Sequence, residues 1–218
     1  IKMSSYLQCL DKIEFDSDYV PTFFDVGCNI NEIPEHCGTL EDFTELFLRQ
    51  YPNAKGYGVD ALYWQSYEEK WGDRVTVIKK ALSNNVGVAT MYTPGIDDEF
   101  KSHAISSLHN RDCFSNGISE EEVECTTIDT LFEEFGLESI DYLKVDTEGA
   151  ELMILKGAEK NLKDKRIQCI QLEYGDTYND AGFGVGDVIT YLKKFDYLEF
   201  FRTKEELLFA HKEDIPCD

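Results

Sequence analysis

Short apolar runs alternate with amphipathic stretches along nearly the whole of this 218-residue chain. TFFDV (Thr22–Val26) reads as a strand, and TLEDFTELFLRQY (Thr39–Tyr51) follows with Leu40, Phe43, Leu46 and Phe47 at helical spacing. AKGYGVDA, RVTVIKKAL, SIDYLKVD and RIQCIQLEYG read as further strands, and YWQSYEEKWG, TIDTLFEEFG, EGAELMILKGAEKNLKD and GDVITYLKKF as the helices among them. VGVATMYT adds an antiparallel strand after a turn at SNNVG, and YLEFFR and LLFAHK close the chain as two strands. Strand–helix alternation with Val/Ile/Leu-rich strands predicts an α/β fold with a mostly parallel sheet and helices on both faces.

The length suits one domain with a proper core. Residues 1–20 read as an N-terminal extension, and 94–121 and 175–186 as loops on the substrate side. Twenty-one basic residues against 43 acidic ones give a net charge of −22. Such a surface repels phosphate backbones and anionic lipid, so neither nucleic acid nor a membrane is an expected partner. Seven cysteines without a C-x-x-C pair indicate reduced thiols rather than a disulfide framework or a zinc ribbon. No signal-peptide pattern and no apolar run near 18 residues is present, and a cytoplasmic location is expected.

In sheets of this kind ligands sit beyond the carboxyl ends of the strands, so the residues that end strands carry the information. The first strand ends in Asp25-Val26-Gly27-Cys28-Asn29, the second at Asp60, a later one in Asp146-Thr147-Glu148-Gly149, and the next in Glu173-Tyr174-Gly175-Asp176. The first turn is neither a G-x-G-x-x-G fingerprint nor a phosphate loop. It offers Asp25, Asn29, Asn31, Glu32 and Glu35 instead, which suits a ligand with positive charge and a ribose but no phosphate. S-adenosylmethionine has that chemistry. Asp60 is placed to accept from both ribose hydroxyls. Its alternative role is to cap a helix running from Leu62.

SIDYLKVDTEGAELMILKGA (Ser139–Ala158) resembles the hallmark segment of the FkbM-type family of S-adenosylmethionine-dependent methyltransferases. FFDVGCN, GYGVDALY, ALSNNVGVATMY, ISSLHN and CTTIDTLFEEFG resemble that family's other segments, in its order, from about Phe23 to Asp176. The resemblance implies a class I methyltransferase fold (Rossmann-like, with a seven-stranded sheet) and O-methylation of a sugar, glycan or other small hydroxylated acceptor. Asp25, Gly27, Asn29, Asp60, Ala81 and Asp146 are the cofactor contacts assigned on this basis. The sequence departs from the family at Asn31, where a second glycine is usual, and at Asp60, where glutamate is common.

Methyl transfer from a sulfonium is an in-line displacement, and an aliphatic hydroxyl needs a base to take its proton. Asp146, Glu173 and His103 are the catalytic candidates, with Glu148 and Asp176 near them. His103 is otherwise an ordinary loop histidine, and Glu148 is read partly as a helix-opening carboxylate stabilised by the helix dipole. No metal ligand is assigned. Asp146, Glu173 and Asp176 offer three oxygens to Mg²⁺, but carboxylate clusters without metals are equally common in acidic chains, and a divalent metal is not favoured. Lys144 shares a strand face with Asp146, and Asp25 on the adjacent strand is its expected partner. Two other functions stay open: ribose 2′-O-methylation of RNA, and a binding module that keeps the fold without the activity.

Overall fold

The computed structural model describes residues 5–28, 42–62, 64–95, 105–111 and 117–215. Its main sheet is built from β1 (Thr22–Val26), β2 (Lys55–Val59), β3 (Val75–Ile78), β7 (Ile140–Val145), β8 (Ile167–Glu173), β9 (Tyr197–Arg202) and β10 (Glu206–His211). The order is β3-β2-β1-β7-β8-β10-β9, with β10 antiparallel to both neighbours and the other pairings parallel. The order reverses between β1 and β7, the switch point at which a ligand crevice opens. A second sheet holds β4 (Ala81–Leu82), β5 (Gly87–Pro94) and β6 (Ile118–Thr126), in the order β4-β6-β5.

Alternation along the strands sorts the main sheet into two faces. Phe24, Val26, Leu143, Val145, Ile170, Leu172, Leu207 and Phe209 pack in one cluster with the helices Ile128–Glu134 and Glu151–Lys156. Phe23, Tyr142, Cys169 and Leu208 face the other way, against the helix Phe43–Gln50 and the helix Ser5–Leu10. Phe23, Phe43, Phe47 and Tyr142 form a connected aromatic group there. The N-terminal helix is integral to this core, with Cys9 and Leu10 fully buried. No helix among the described residues is long and apolar enough to cross a membrane.

Several local expectations are revised. RVTVIKKAL divides between two sheets, as β3 and β4. Regular pairing resumes at Ile118, opposite Pro94, so the irregular stretch ends before Glu121. The single helix expected over 148–164 is two, Glu151–Lys156 and Glu159–Lys163, separated at Gly157. A Cβ at Gly157 would lie 2.1 Å from the Ser83 carbonyl oxygen, so this backbone lies directly against the second sheet's connection.

Gly27 is assigned to a ligand by the sequence, but the structure gives it first to strand packing. Its φ is 75°, and a Cβ there would lie 1.8 Å from the carbonyl oxygen of Asp146. Gly27→Ala is therefore expected to cost roughly 2 kcal/mol or more of stability, from left-handed strain and overpacking together. Urea denaturation measures this. A variant as stable as the parent would show that the ends of β1 and β7 can part.

Candidate active site

Ile78, Val59, Val26, Val145 and Leu172 stand in one continuous register row across β3, β2, β1, β7 and β8. Gly27, Asp60, Asp146 and Glu173 each lie one residue beyond it. The predicted strand-end residues are thus brought to a single rim. Antiparallel pairing adds Glu206, directly opposite Glu173. The oxygens of Asp146, Glu148 and Glu173 lie within 4.8 Å of one another. Asp176 is not in that group, and Glu148 stands in the place the sequence gives it.

Under this rim lies a buried ion triad. The Lys144 ammonium is 3.2 Å from Asp25 Oδ1 and 3.2 Å from Asp146 Oδ2. Thr44 donates to Asp25 Oδ2 at 2.9 Å. Burial disfavours the Lys144 charge, but the two carboxylates outweigh it and raise the pKa well above the usual lysine value. The expected Lys144–Asp25 partnership is therefore present, with Asp146 as a second partner. Asp25 is 2% exposed. Its side chain lies beneath the rim and holds Lys144.

Asp146 and Glu173 divide their protons unequally. Burial pushes Asp146 up, but the Lys144 charge and bonds from Glu173, Lys144 and Tyr6 bring it below the ordinary aspartate value. Glu173 moves strongly the other way, through burial, the Asp146 charge and their shared hydrogen bond. The two carboxyls are thus pushed in opposite directions. Burial, with the Asp146 charge next, raises Glu148 to about 7. The sequence places Glu148 at a helix start, but the helix begins at Glu151, and Glu148 sits in a left-handed turn at φ 56°. Its partner is Arg111, at 2.8 Å, which also reaches Asp180 at 3.1 Å.

Other contributors were not singled out from the sequence. Glu151 gathers the Thr147 amide (2.8 Å), the Thr147 hydroxyl (2.9 Å) and the Gly149 amide (3.0 Å), which fixes the turn after β7. The Ser107 hydroxyl donates to the Glu148 carbonyl at 2.8 Å and accepts from the His109 amide at 3.0 Å. The ISSLHN segment carries these residues, and its serine-rich character was the available signal. Tyr6 donates to Asp146 Oδ2 at 3.0 Å from 140 residues away in sequence.

Asp60 Oδ1 accepts from the Leu62 amide at 2.8 Å. That bond closes a local turn, and the next helix starts only at Trp64. Ala81 is buried in β4 beside Cys125. Asn29 and His103 lie outside the described residues, as do Asn31, Glu32 and Glu35.

The strand order and the carboxylate-lined rim define a Rossmann-like α/β fold of the methyltransferase class. The methyltransferase FkbM domain matches residues 25–199, and the chain belongs to that family. Among solved structures it is similar to the methyltransferase FkbM from Methylobacillus flagellatus KT, with 14% identity, 91% of this chain and 44% of that one covered, and a TM-score of 0.56. At that identity the likeness speaks for the fold alone. It is also similar to the pyocyanin biosynthetic protein PhzM, with 10% identity, 95% and 54% covered, and a TM-score of 0.45, too low to carry argument. The chain spans about half the length of these two structures. None of the curated proteins matches it.

The crowded carboxyls set the pH dependence. Glu148, Glu151 and Glu206 are raised from 4.5 to about 7, about 7 and about 8, in each case chiefly by burial. From about pH 4.5 to about pH 8, and through Glu173 on to about pH 11, the folded chain binds more protons than the unfolded one, so stability falls as pH rises, most steeply up to about pH 8. Asp146 has the opposite sign, but its contribution is lost only as pH falls below the ordinary aspartate value of 3.8. Urea midpoints are expected to be higher near the acid end of the window than the alkaline end. Glu206→Gln should flatten the slope. An unchanged slope would mean that Glu206 ionises without penalty.

Proposed function

We propose that the chain is an S-adenosylmethionine-dependent O-methyltransferase acting on a hydroxyl of a sugar or glycan. The observation that carries this reading is geometric: Asp146, with Lys144 and Tyr6 on one of its oxygens, stands within 4.8 Å of Glu148 and Glu173 on the rim shared with Asp60 and Gly27. The donor set fits the cofactor: carboxylates suit ribose hydroxyls and positive charge, and the rim lies at the topological switch point.

The bound cofactor supplies a methyl group already activated by its sulfonium. What remains for the protein is alignment, exclusion of water and removal of one proton. Asp60 would hold the ribose hydroxyls through its carboxylate. Asp146 would accept the proton of the acceptor hydroxyl while that oxygen takes the methyl group, the methyl–sulfur bond breaks and its electron pair leaves with the sulfur as a neutral thioether. Glu173, whose carboxyl is raised by burial and by the Asp146 charge, stands beside Asp146 and helps to orient it. Lys144 keeps Asp146 ionised between turnovers. No step requires a metal.

The acidic rim and the net charge of −22 favour neutral or amine-bearing acceptors over phosphorylated ones, and speak against RNA. Described cysteines Cys9, Cys28, Cys125 and Cys169 are free and buried, which agrees with a cytoplasmic setting.

Cofactor binding is tested by thermal or chemical denaturation. At 100-fold excess over its dissociation constant, S-adenosylmethionine should add roughly 2.7 kcal/mol of stability. Asp60→Ala should lose most of that gain while keeping its fold. No gain in the parent chain at millimolar cofactor would overturn the reading. Asp146→Asn should lower turnover by about 100-fold or more, the usual worth of a positioned base, and cofactor affinity by less. Mass spectrometry of methylated acceptors measures it, and equal rates would remove Asp146 from the chemistry.

A further inference from the structure

The family match begins at residue 25, yet the helix Ser5–Leu10 that precedes it reaches the centre of the rim. Tyr6 is seated there by several contacts. Its ring stands edge-on to Phe43 at 6.1 Å between centroids, and the Lys144 ammonium lies 5.4 Å above it. Its hydroxyl donates to Asp146 Oδ2 at 3.0 Å, and Lys144 reaches the same oxygen at 3.2 Å. Cys9 and Leu10, fully buried in the same short helix, lock it onto the sheet.

We infer that Tyr6 is a positioning residue for the methyl-transfer base: together with Lys144 it pins one oxygen of Asp146 and so fixes the plane in which the other meets the acceptor. The helix Ser5–Leu10 is then a wall of the acceptor site and not an appendage. This rests on the reading of Asp146 as the proton acceptor. A carboxylate held by one donor still swings about its terminal torsion, which is broad. Two donors on one oxygen, one from its own strand and one from a separate helix, remove that freedom. Both bond the ionised form and therefore favour it.

Asp146 is faced from every side by groups that titrate or carry charge. Lys144 and Asp25 approach from β7 and β1, Glu173 from β8, and Glu206 from β10. Glu148 and Glu151 approach from its own turn, with Arg111 behind Glu148, and Tyr178 lies within electrostatic reach. Tyr6 stays a neutral donor: burial pushes its phenol well above the usual tyrosine range. A phenylalanine would keep the ring contacts with Phe43 and Lys144, so the hydroxyl alone can be questioned.

The experiment is a carboxyl-carbon NMR titration of the full chain, parent against Tyr6→Phe. The Asp146 midpoint should rise by about one pH unit when the hydroxyl is removed. Hydrogen exchange in Ser5–Leu10 should stay slow and cofactor affinity unchanged. A ring-fluorinated tyrosine at position 6 is a stronger donor of the same size, and should move the midpoint down. With an acceptor in hand, the acid limb of the rate profile should follow the same shifts. If Tyr6→Phe releases the helix, the fluorinated chain decides. Midpoints unmoved in that chain would overturn the inference. Shifted midpoints without cofactor binding would keep the Tyr6–Asp146 contact but remove Asp146 as a methyl-transfer base, and the positioning role would fall with it.

Discussion

The Lys144 ammonium, buried in the middle strand of a parallel sheet, is the interaction on which the site depends. An uncompensated charge at that depth would cost several kcal/mol or lose its proton. Two carboxylates prevent both, one from the neighbouring strand and one from the end of its own. Each partner recruits a further element. Asp25 takes Thr44 from the helix Phe43–Gln50, and Asp146 takes Tyr6 from the helix Ser5–Leu10. One polar chain, Thr44–Asp25–Lys144–Asp146–Tyr6, thereby ties two covering helices to the two strands that flank the switch point. Removing one member of such a chain leaves the next charge unpaired, which is why it behaves as a unit.

The sheet assigns stability and chemistry to different faces. One face is apolar from Phe24 across to Phe209 and packs on helices as an ordinary core. The other mixes Phe23, Tyr142 and Leu208 with buried Asp25, Lys144, Gln171 and Glu206. Tyr142 donates to Gln171 at 2.5 Å, which continues the polar row toward β10. Stability lost to buried charge on this face is offset by burial on the other, at roughly 25 cal/mol per Å² of apolar surface.

The sequence made the frame legible because the frame follows from short-range pattern. Val/Ile/Leu runs marked the strands, and carboxylates at their ends marked the rim. Strand parity alone paired Lys144 with Asp25. The failures have a common cause, which is that tertiary contact overrode local preference. EGAELMILKGAEKNLKD has good helical spacing throughout, but the close approach of Gly157 to Ser83 divides it. Glu148 sits where a helix dipole would favour it, yet Glu151 pulls the turn into another shape and Arg111 supplies the charge. Tyr6, Ser107 and Arg111 carry no periodic signal. Their partners lie 140, 41 and 37 residues away, and only the path of the folded chain brings them together.

The turn after β7 is held from several directions. Glu151 binds it from below, Ser107 and Arg111 hold Glu148 from the segment 105–111, and Gly27 presses against the Asp146 carbonyl. Glu148 at φ 56° is a conformation that a residue with a side chain keeps only when its surroundings over-determine it. Those surroundings are all parts of the protein itself. The orientation of Asp146 is therefore set by the framework and need not be organised by an acceptor. On the proposed reading, a displacement whose barrier is mostly alignment is served by fixing one acidic oxygen of Asp146 against the line of attack, with the reactivity left to the methyl donor.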